Sequence, residues 1–201
     1  MISHEHKVLF YHIPRTGGTT IENLFIGKDM AFLNHRMKHP SMIDFMTEYK
    51  EWWGDYYKFS VIRNPYEWVR SMYSLEKADN KDFNYYCENF RFNTKLTNDG
   101  FPYENIIGNN FIEFFDNKLD HIFRFEDLVK SNFSELKNKF GINKKVSKKM
   151  PYEHHHKHKK PSHTLDTFNI IKEKFKNDIQ TFYPEMVNIT YEDVLNKRYG
   201  I

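Results

Sequence analysis

The segment at positions 7–25, KVLFYHIPRTGGTTIENLF, constrains the fold more than any other part of the chain. It opens with an apolar run at 8–13, made of residue types typical of a buried strand. Pro14 breaks this run, and two adjacent glycines follow. Apolar side chains then recur at the spacing of one helix face, at Ile21, Leu24 and Phe25. The pattern predicts a strand, a tight loop and a helix.

The loop between this strand and this helix has the chemistry of an anion site. Glycine lets backbone N–H groups come close to a ligand, and a helix N-terminus carries the positive end of a dipole. The loop adds one guanidinium and three hydroxyl groups, from Arg15, Thr16, Thr19 and Thr20. We expect it to bind a phosphate-like group; an ordinary strand-to-helix turn is the alternative.

A second unit of the same kind follows. Residues 57–62 are predicted to form a strand, after which Asn64 suits an N-cap and Pro65 the first helical position. Ser71 lies eight residues after Arg63. Its hydroxyl and the Arg63 guanidinium are therefore candidates to bind one anion, whereas a solvated helix position is the alternative for Ser71.

Strands followed by helices occur three times, because residues 120–125 predict a further strand. This order favours an α/β sandwich around a mainly parallel sheet. Ligands of such sheets bind at the carboxyl ends of the strands, where Arg15 and Arg63 would meet. A length of 201 residues without a long linker predicts one domain over residues 1–201.

Composition excludes several classes of protein. A formal charge of +3 is too small for a nucleic-acid coat protein, and no apolar run reaches the roughly 18 residues of a membrane span. No signal peptide is apparent, so we expect a cytoplasmic protein without nucleic-acid or membrane partners. Cys87 is the single cysteine; its surroundings favour a buried small residue over a nucleophile.

Further elements are predicted from periodicity and capping residues. A short strand is expected at 30–33, and a helix at 42–53 with Ser41 as its N-cap. Ser131 is expected to cap another helix. Thr164 is predicted to start the last long helix, which ends near residue 182.

The two units together resemble the sulfotransferase family. HIPRTGGTT resembles its 5′-phosphosulfate loop, and FSVIRNPYEWVRSMYS resembles its 3′-phosphate motif. FRFEDL at 123–128 is similar to a segment that recurs in the same family. The likeness extends from about residue 7 to about residue 185. It is strongest to the carbohydrate-type branch, related to heparan sulfate 2-O-sulfotransferases and their bacterial relatives.

The resemblance implies a P-loop-like, three-layer sandwich and 3′-phosphoadenosine 5′-phosphosulfate (PAPS) as donor, with no metal. It assigns the 5′ end of PAPS to Arg15, Thr16, Gly17, Gly18, Thr19 and Thr20. It assigns the 3′-phosphate to Arg63 and Ser71. The family usually has lysine where this chain has Arg15, and the planar guanidinium fork is not a simple substitute for an ammonium group.

Transfer to a hydroxyl or amine requires a base, and histidine has the most suitable pKa. His39 stands just before Pro40-Ser41, where a helix N-terminus favours neutral imidazole. Related enzymes carry a histidine in this interval. His39 is therefore the predicted base and His35 the second candidate; solvated loop positions are the alternative for both.

The run HHHKHKK at 154–160 has three interpretations. Consecutive loop histidines set up no defined geometry, which disfavours a metal site. A solvated basic loop and a flap over an anionic ligand remain, and we favour the flap. Lys160 and Ser162 are then expected to contact PAPS.

Two other functions compete with sulfuryl transfer to an acceptor, which we expect to be a carbohydrate. A P-loop kinase or NTPase would need the pattern GxxxxGK[ST], but Thr19 and Thr20 follow the glycines directly. A non-catalytic module could bind anionic glycans through its basic loop. The sequence predicts neither the sulfated position nor an oligomeric state.

Overall fold

The computed structural model describes residues 1–75, 82–90, 92–93, 107–108, 110–115, 118–144 and 160–196. This part of the chain is a mixed α/β fold, with helices around an open, mostly parallel sheet of four strands. The predicted turn at 98–100 and the basic run up to residue 159 lie outside the described residues. The side chain of His35 also lies outside them.

Six strands are described: β1 (Ile2–Ser3), β2 (Val8–Tyr11), β3 (Tyr57–Ile62), β4 (Phe92–Asn93), β5 (Ile107–Gly108) and β6 (His121–Arg124). The eleven α-helices in the described ranges are α1 (Gly18–Ile26), α2 (Met30–Leu33), α3 (Met42–Glu48), α4 (Pro65–Leu75), α5 (Phe83–Asn89), α6 (Phe111–Phe115), α7 (Phe125–Lys130), α8 (Ser134–Phe140), α9 (Leu165–Lys174), α10 (Lys176–Phe182) and α11 (Tyr191–Leu195). Short 3₁₀ turns occupy His35–Met37, Lys50–Trp52 and Pro184–Met186.

The four-stranded sheet has the order β1-β2-β3-β6. β2, β3 and β6 run parallel, and β1 is an antiparallel edge strand. Tyr11 pairs with Ser60, and Ile62 pairs with Arg124. The three parallel strands therefore end at the same edge of the sheet, as the sequence predicted. β4 and β5 pair separately.

Aromatic rings fill the space between the sheet and the helices. Phe59 in β3 stacks on Phe10 in β2, with ring centroids 5.0 Å apart, and Phe25 of α1 packs on Phe59 at 5.7 Å. Successive side chains of a strand point to opposite faces. Tyr11 thus faces the other side, where Phe45 of α3 lies 5.2 Å from it. α1 and α3 cover opposite faces.

Several capping predictions are confirmed. Ser41 Oγ accepts the Asp44 N–H at 2.9 Å and starts α3. Asn64 Oδ1 accepts the Tyr66 N–H at 3.0 Å at the start of α4. Thr164 forms a capping box at the start of α9. Each side chain satisfies a backbone donor that has no partner inside its helix.

Two predicted local structures are wrong. Residues 30–33 form α2 instead of a strand, because the Asp29 carboxylate accepts the Ala31 N–H at 2.7 Å and Glu22 accepts the Met30 N–H at 3.0 Å. These acceptors cap a helical turn. Ser131 ends α7 instead of capping the next helix. α8 begins after Phe133, whose backbone is left-handed at φ 58°.

Two predicted helices are shorter than expected. α3 ends at Glu48 instead of continuing to residue 53, and the chain leaves the helix at Tyr49. The last long helix is divided at Phe175 into α9 and α10. Both residues are buried. The backbone leaves helical geometry at both positions, with φ at -106° for Tyr49 and -104° for Phe175.

Among the described helices, none has the length and apolar character needed to cross a bilayer.

Asp178 is a fully buried carboxylate that holds α10 to the start of α6. Its two oxygens accept the N–H groups of Phe111 and Ile112, each at 2.9 Å. Asp178→Ala would leave both donors without this acceptor, which costs roughly 1–3 kcal/mol for a buried group. We expect urea unfolding to show a loss of about 2–4 kcal/mol. Asp166→Ala, which removes an exposed carboxylate from the first turn of α9, should cost about 1 kcal/mol or less. Equal losses would contradict this assignment.

Candidate functional site

The turns that follow β2 and β3 meet at the carboxyl edge of the sheet. Arg63, the first residue after β3, donates from Nη1 to the carbonyl oxygen of Arg15 at 3.2 Å. The ring of Phe125, the first residue after β6, lies under the Arg63 guanidinium at 4.9 Å. Residues from all three strand ends therefore lie together at this edge of the sheet, and the region around Arg15, Arg63 and Phe125 is called the crevice.

Arg15 joins the two strand–turn–helix units through its side chain. Its Nε donates to Ser71 Oγ at 2.9 Å. The Arg15 backbone is left-handed, with φ at 64°, and Ser71 is fully buried, so the solvated alternative for Ser71 is wrong. Burial and then the neighbouring charge of Arg63 lower the pKa of Arg15. Arg15 thus lies against the residue predicted to bind the opposite end of the donor.

The two glycines are required by their protein neighbours. Gly17 has φ at 86°, and a Cβ there would lie 2.6 Å from the Phe125 ring. A Cβ on Gly18 would lie 1.9 Å from His12 Nε2. The buried imidazole of His12 therefore sits directly against the first residue of α1. Sequence reasoning attributed the glycines to a ligand, whereas this packing already accounts for both.

The threonines of the loop have internal partners. Thr16 is fully buried and donates from Oγ1 to the Ile13 carbonyl at 2.7 Å, which fixes the turn. The Thr20 N–H bonds to the Gly17 carbonyl at 3.1 Å. Thr19 Oγ1 accepts from Lys38 Nζ at 3.3 Å. Lys38 therefore adds a cation that sequence reasoning did not assign to the loop.

A buried ionic network lies behind this loop. His12 Nδ1 is 2.6 Å from Glu22 Oε1, and Lys38 Nζ is 3.5 Å from Glu22 Oε2. Lys38 also pairs with Asp29. Hydrogen bonding from His12, the charges of His12 and Lys38, and the Met30 N–H outweigh burial and lower the pKa of Glu22, so this carboxyl is ionised. Burial lowers the pKa of His12.

His39 packs on this network. Its ring meets the His12 ring edge-on, with centroids 4.4 Å apart, and its Nδ1 lies 3.2 Å from the His12 carbonyl oxygen. A carbonyl only accepts hydrogen bonds, so Nδ1 carries the proton and Nε2 keeps its lone pair. Burial, and then the nearby His12, hold the pKa of His39 well below 6.5. His39 is therefore neutral at physiological pH.

On the other side of Arg63, further charges surround Glu67. Arg70 Nη1 lies 2.6 Å from Glu67 Oε1, and Lys160 Nζ lies 3.3 Å from Oε2. Arg63 Nη2 approaches Oε2 at 3.8 Å. Lys160 is thus brought to the predicted 3′-phosphate residue Arg63, while Ser162 is exposed two residues further on.

Glu126 supports the crevice from below. This buried carboxylate accepts the Asn64 N–H at 2.9 Å and the Tyr183 hydroxyl at 3.1 Å. It thereby fixes the turn that carries Arg63. Burial raises the pKa of Glu126 despite these hydrogen bonds and the nearby Arg63 charge.

Sequence reasoning missed four residues that organise the crevice: His12, Glu22, Lys38 and Glu67. One signal could have found the first two. A histidine at the end of an apolar strand, and an acid between apolar helix positions, both require buried partners. No local signal links Glu67 to Lys160, which lies 93 positions later.

A cavity of about 520 Å³ lies elsewhere, between β1, the end of α1 and residues 48–52. None of the predicted site residues lines it. Within the described ranges, no group of three or more His, Cys, Asp or Glu side chains is arranged to hold a metal ion. The Cys87 thiol is buried, and burial raises its pKa to about 12, as expected for a packing residue.

Comparison of the chain with protein-family models, with curated proteins and with solved structures finds no match.

Glu126 gives the fold a measurable pH dependence. Its pKa is raised above 4.5 in the folded state, so the unfolded chain releases this proton first as the pH rises. The folded protein should therefore lose stability relative to Glu126→Gln as the pH rises above about 4.5. Chemical denaturation at several pH values measures this difference, with the exposed Glu135→Gln as control. The raised pKa of Glu126 would be contradicted if the free energies of unfolding of the wild type and of Glu126→Gln changed in parallel as the pH rises.

Proposed function

We propose that this protein is a PAPS-dependent sulfotransferase with a P-loop-like, three-layer sandwich fold. The observation that carries the proposal is the junction of the two strand–turn–helix units: Arg63 bonds to the Arg15 carbonyl, and Arg15 bonds to Ser71. Two motifs that sequence alone related to the two ends of one donor therefore share a crevice. A protein that bound a single phosphate would need only one of the two strand–turn–helix units and no contact between them.

The charge of the crevice fits a polyanionic donor. Three cationic side chains, Arg63, Arg70 and Lys160, surround the buried carboxylate of Glu67, and Arg15 adds a fourth cation next to Arg63. Partly buried positive charge is costly unless an anion neutralises it. Under this proposal Arg63, Ser71, Lys160 and Ser162 bind the 3′-phosphate. The loop from Arg15 to Thr20 binds the 5′ end.

The donor supplies an activated sulfuryl group, whose departure places negative charge on a phosphate oxygen. Two cations flank the loop where this charge would develop. Arg15 uses Nε for Ser71, which leaves its terminal guanidinium nitrogens to donate elsewhere. Lys38 contacts Thr19 on the other side. Guanidinium, ammonium and loop N–H groups together stabilise the developing charge.

His39 is the proposed general base. Its Nδ1 is held by the His12 carbonyl, so the neutral ring presents Nε2 as proton acceptor. A low pKa keeps this nitrogen unprotonated, and the negative charge of a bound donor would raise that pKa toward the range of an efficient base. Glu22 fixes the His12 ring, and the His39 ring packs against it. The side chain of His35 lies outside the described residues, so it stays the second candidate.

The acceptor is proposed to be a carbohydrate hydroxyl, on the strength of the resemblance to the carbohydrate-type branch. An amine acceptor would use the same base and the same leaving-group contacts.

Transfer of label from [³⁵S]PAPS to a panel of glycans, phenols and small alcohols tests this function. We expect His39→Ala to lower the transfer rate by about 10²- to 10⁴-fold. The product 3′-phosphoadenosine 5′-phosphate (PAP) should still raise the melting temperature of this variant. Because the pKa of His39 is lowered in the ligand-free protein, kcat/KM for PAPS, which reports the free enzyme, should not fall as the pH decreases through 6.5.

His121→Ala is the matched control, since His121 is exposed and lies at the opposite end of β6. Its transfer rate should equal that of the wild type. A protein that labels no acceptor and gains no stability from PAP is not a sulfotransferase. Stabilisation by Mg·ATP alone would favour the kinase alternative, and glycan binding without transfer would favour a binding module.

A further inference from the structure

Glu67 has an unusual position for an acid, because it lies in the first turn of α4 at the centre of a cationic cluster. Its side chain is only 7% exposed. Oε1 pairs with Arg70 at 2.6 Å, while Oε2 faces Lys160 at 3.3 Å and Arg63 at 3.8 Å. One carboxylate therefore contacts three cations that belong to two distant parts of the chain.

The two oxygens of Glu67 are held with different strength. The Oε1 contact is short, and Arg70 is anchored independently, since its Nε donates to the Pro161 carbonyl at 2.7 Å. The contacts of Oε2 are longer, and both go to residues predicted to bind the donor. A carboxylate that approaches two cations at these distances is a weaker partner than a doubly charged phosphate bonded to them directly.

The charges around Lys160 also indicate that a phosphate would be a better partner than Glu67 for Arg63 and Lys160. Burial, and after it the charge of Arg63, lower the pKa of Lys160, whereas Glu67 raises it. The positive charges of Arg63 and Lys160 thus repel each other, and Glu67 offsets part of this repulsion. A phosphate between these two cations would offset it more completely, because it brings about two negative charges.

We propose that Glu67 is an internal counter-anion that competes with the donor's 3′-phosphate for Arg63 and Lys160. This proposal rests on the proposed function. In the ligand-free protein Glu67 offsets part of the positive charge of the cluster; when the phosphate binds, Glu67 keeps Arg70 and gives up Arg63 and Lys160. A group with one negative charge or none would not displace it, so Glu67 contributes to selectivity for a 3′-phosphorylated nucleotide.

Titration calorimetry of the full chain with PAP and with 5′-AMP tests the competition. Glu67→Gln removes the charge and keeps the shape of the side chain. We expect this variant to bind PAP roughly three- to tenfold more tightly than the wild type, because a competing charge is lost. Its affinity for 5′-AMP should change by less than about twofold. Glu135→Gln, which neutralises an exposed acid on α8, should leave both affinities unchanged.

The outcomes separate this proposal from the function on which it rests. A wild type that binds PAP, with a Glu67→Gln variant that binds it equally or less tightly, would overturn the counter-anion and leave the sulfotransferase proposal intact. Equal tightening for PAP and 5′-AMP would also overturn it. A wild type that does not bind PAP would overturn both.

If Glu67→Gln does not fold, a crystal structure of the wild type with PAP decides. Phosphate oxygens should replace Glu67 Oε2 at Arg63 and Lys160, while the Arg70 contact persists. An unchanged set of Glu67 contacts, with the phosphate bound elsewhere, would overturn the proposal.

Discussion

Parallel pairing of β2, β3 and β6 brings three strand ends to one edge of the sheet, and the crevice depends on this constraint. The residues that follow these strands therefore lie close together. Two of them are arginines, and their positive charges must be accommodated. The Arg63 guanidinium does so by bonding to the Arg15 carbonyl and stacking on Phe125. The Arg15 side chain turns to Ser71.

Buried carboxylates hold the crevice together, and each has a different environment. Burial raises the pKa of Glu22, but the hydrogen bond from His12 and the charge of Lys38 outweigh it, so this pKa is lowered. Glu126 has a raised pKa because burial outweighs its hydrogen bonds. Glu67 lies among cations that outnumber it. Buried ionic groups of this kind add little net stability, because desolvation offsets their attraction. Their effect is to fix the positions of the groups they contact.

Much of the scaffold could be predicted from the sequence because its signals are local. The apolar run of β3 and the cap at Asn64 each report the conformation of a few neighbouring residues, and both were found in place. The mixed α/β fold with a mostly parallel sheet followed from the order of these units. An error arose where a side chain from elsewhere in the chain decided the outcome: Glu22, on α1, accepts the Met30 N–H and helps to cap α2 where a strand was expected.

The site itself was only partly predictable. Arg15, Arg63 and Ser71 were expected to lie together at one edge of the sheet. The direction of the Arg15 side chain could not be predicted, because arginine has no preference for the left-handed backbone that it adopts here. The pairing of Glu67 with Lys160 joins positions far apart in the chain, so it follows only from the tertiary structure. The same holds for the approach of His39 to the His12 carbonyl.

The proposed function requires that the two strand–turn–helix units bind the two ends of one nucleotide. The most direct measurement is the difference in binding free energy between PAP and 5′-AMP, for the wild type and for Arg63→Gln. We predict at least a roughly tenfold preference of the wild type for PAP without added metal, and its loss in Arg63→Gln. A preference for Mg·ATP over PAP, or a PAP preference that survives in Arg63→Gln, would contradict the claim.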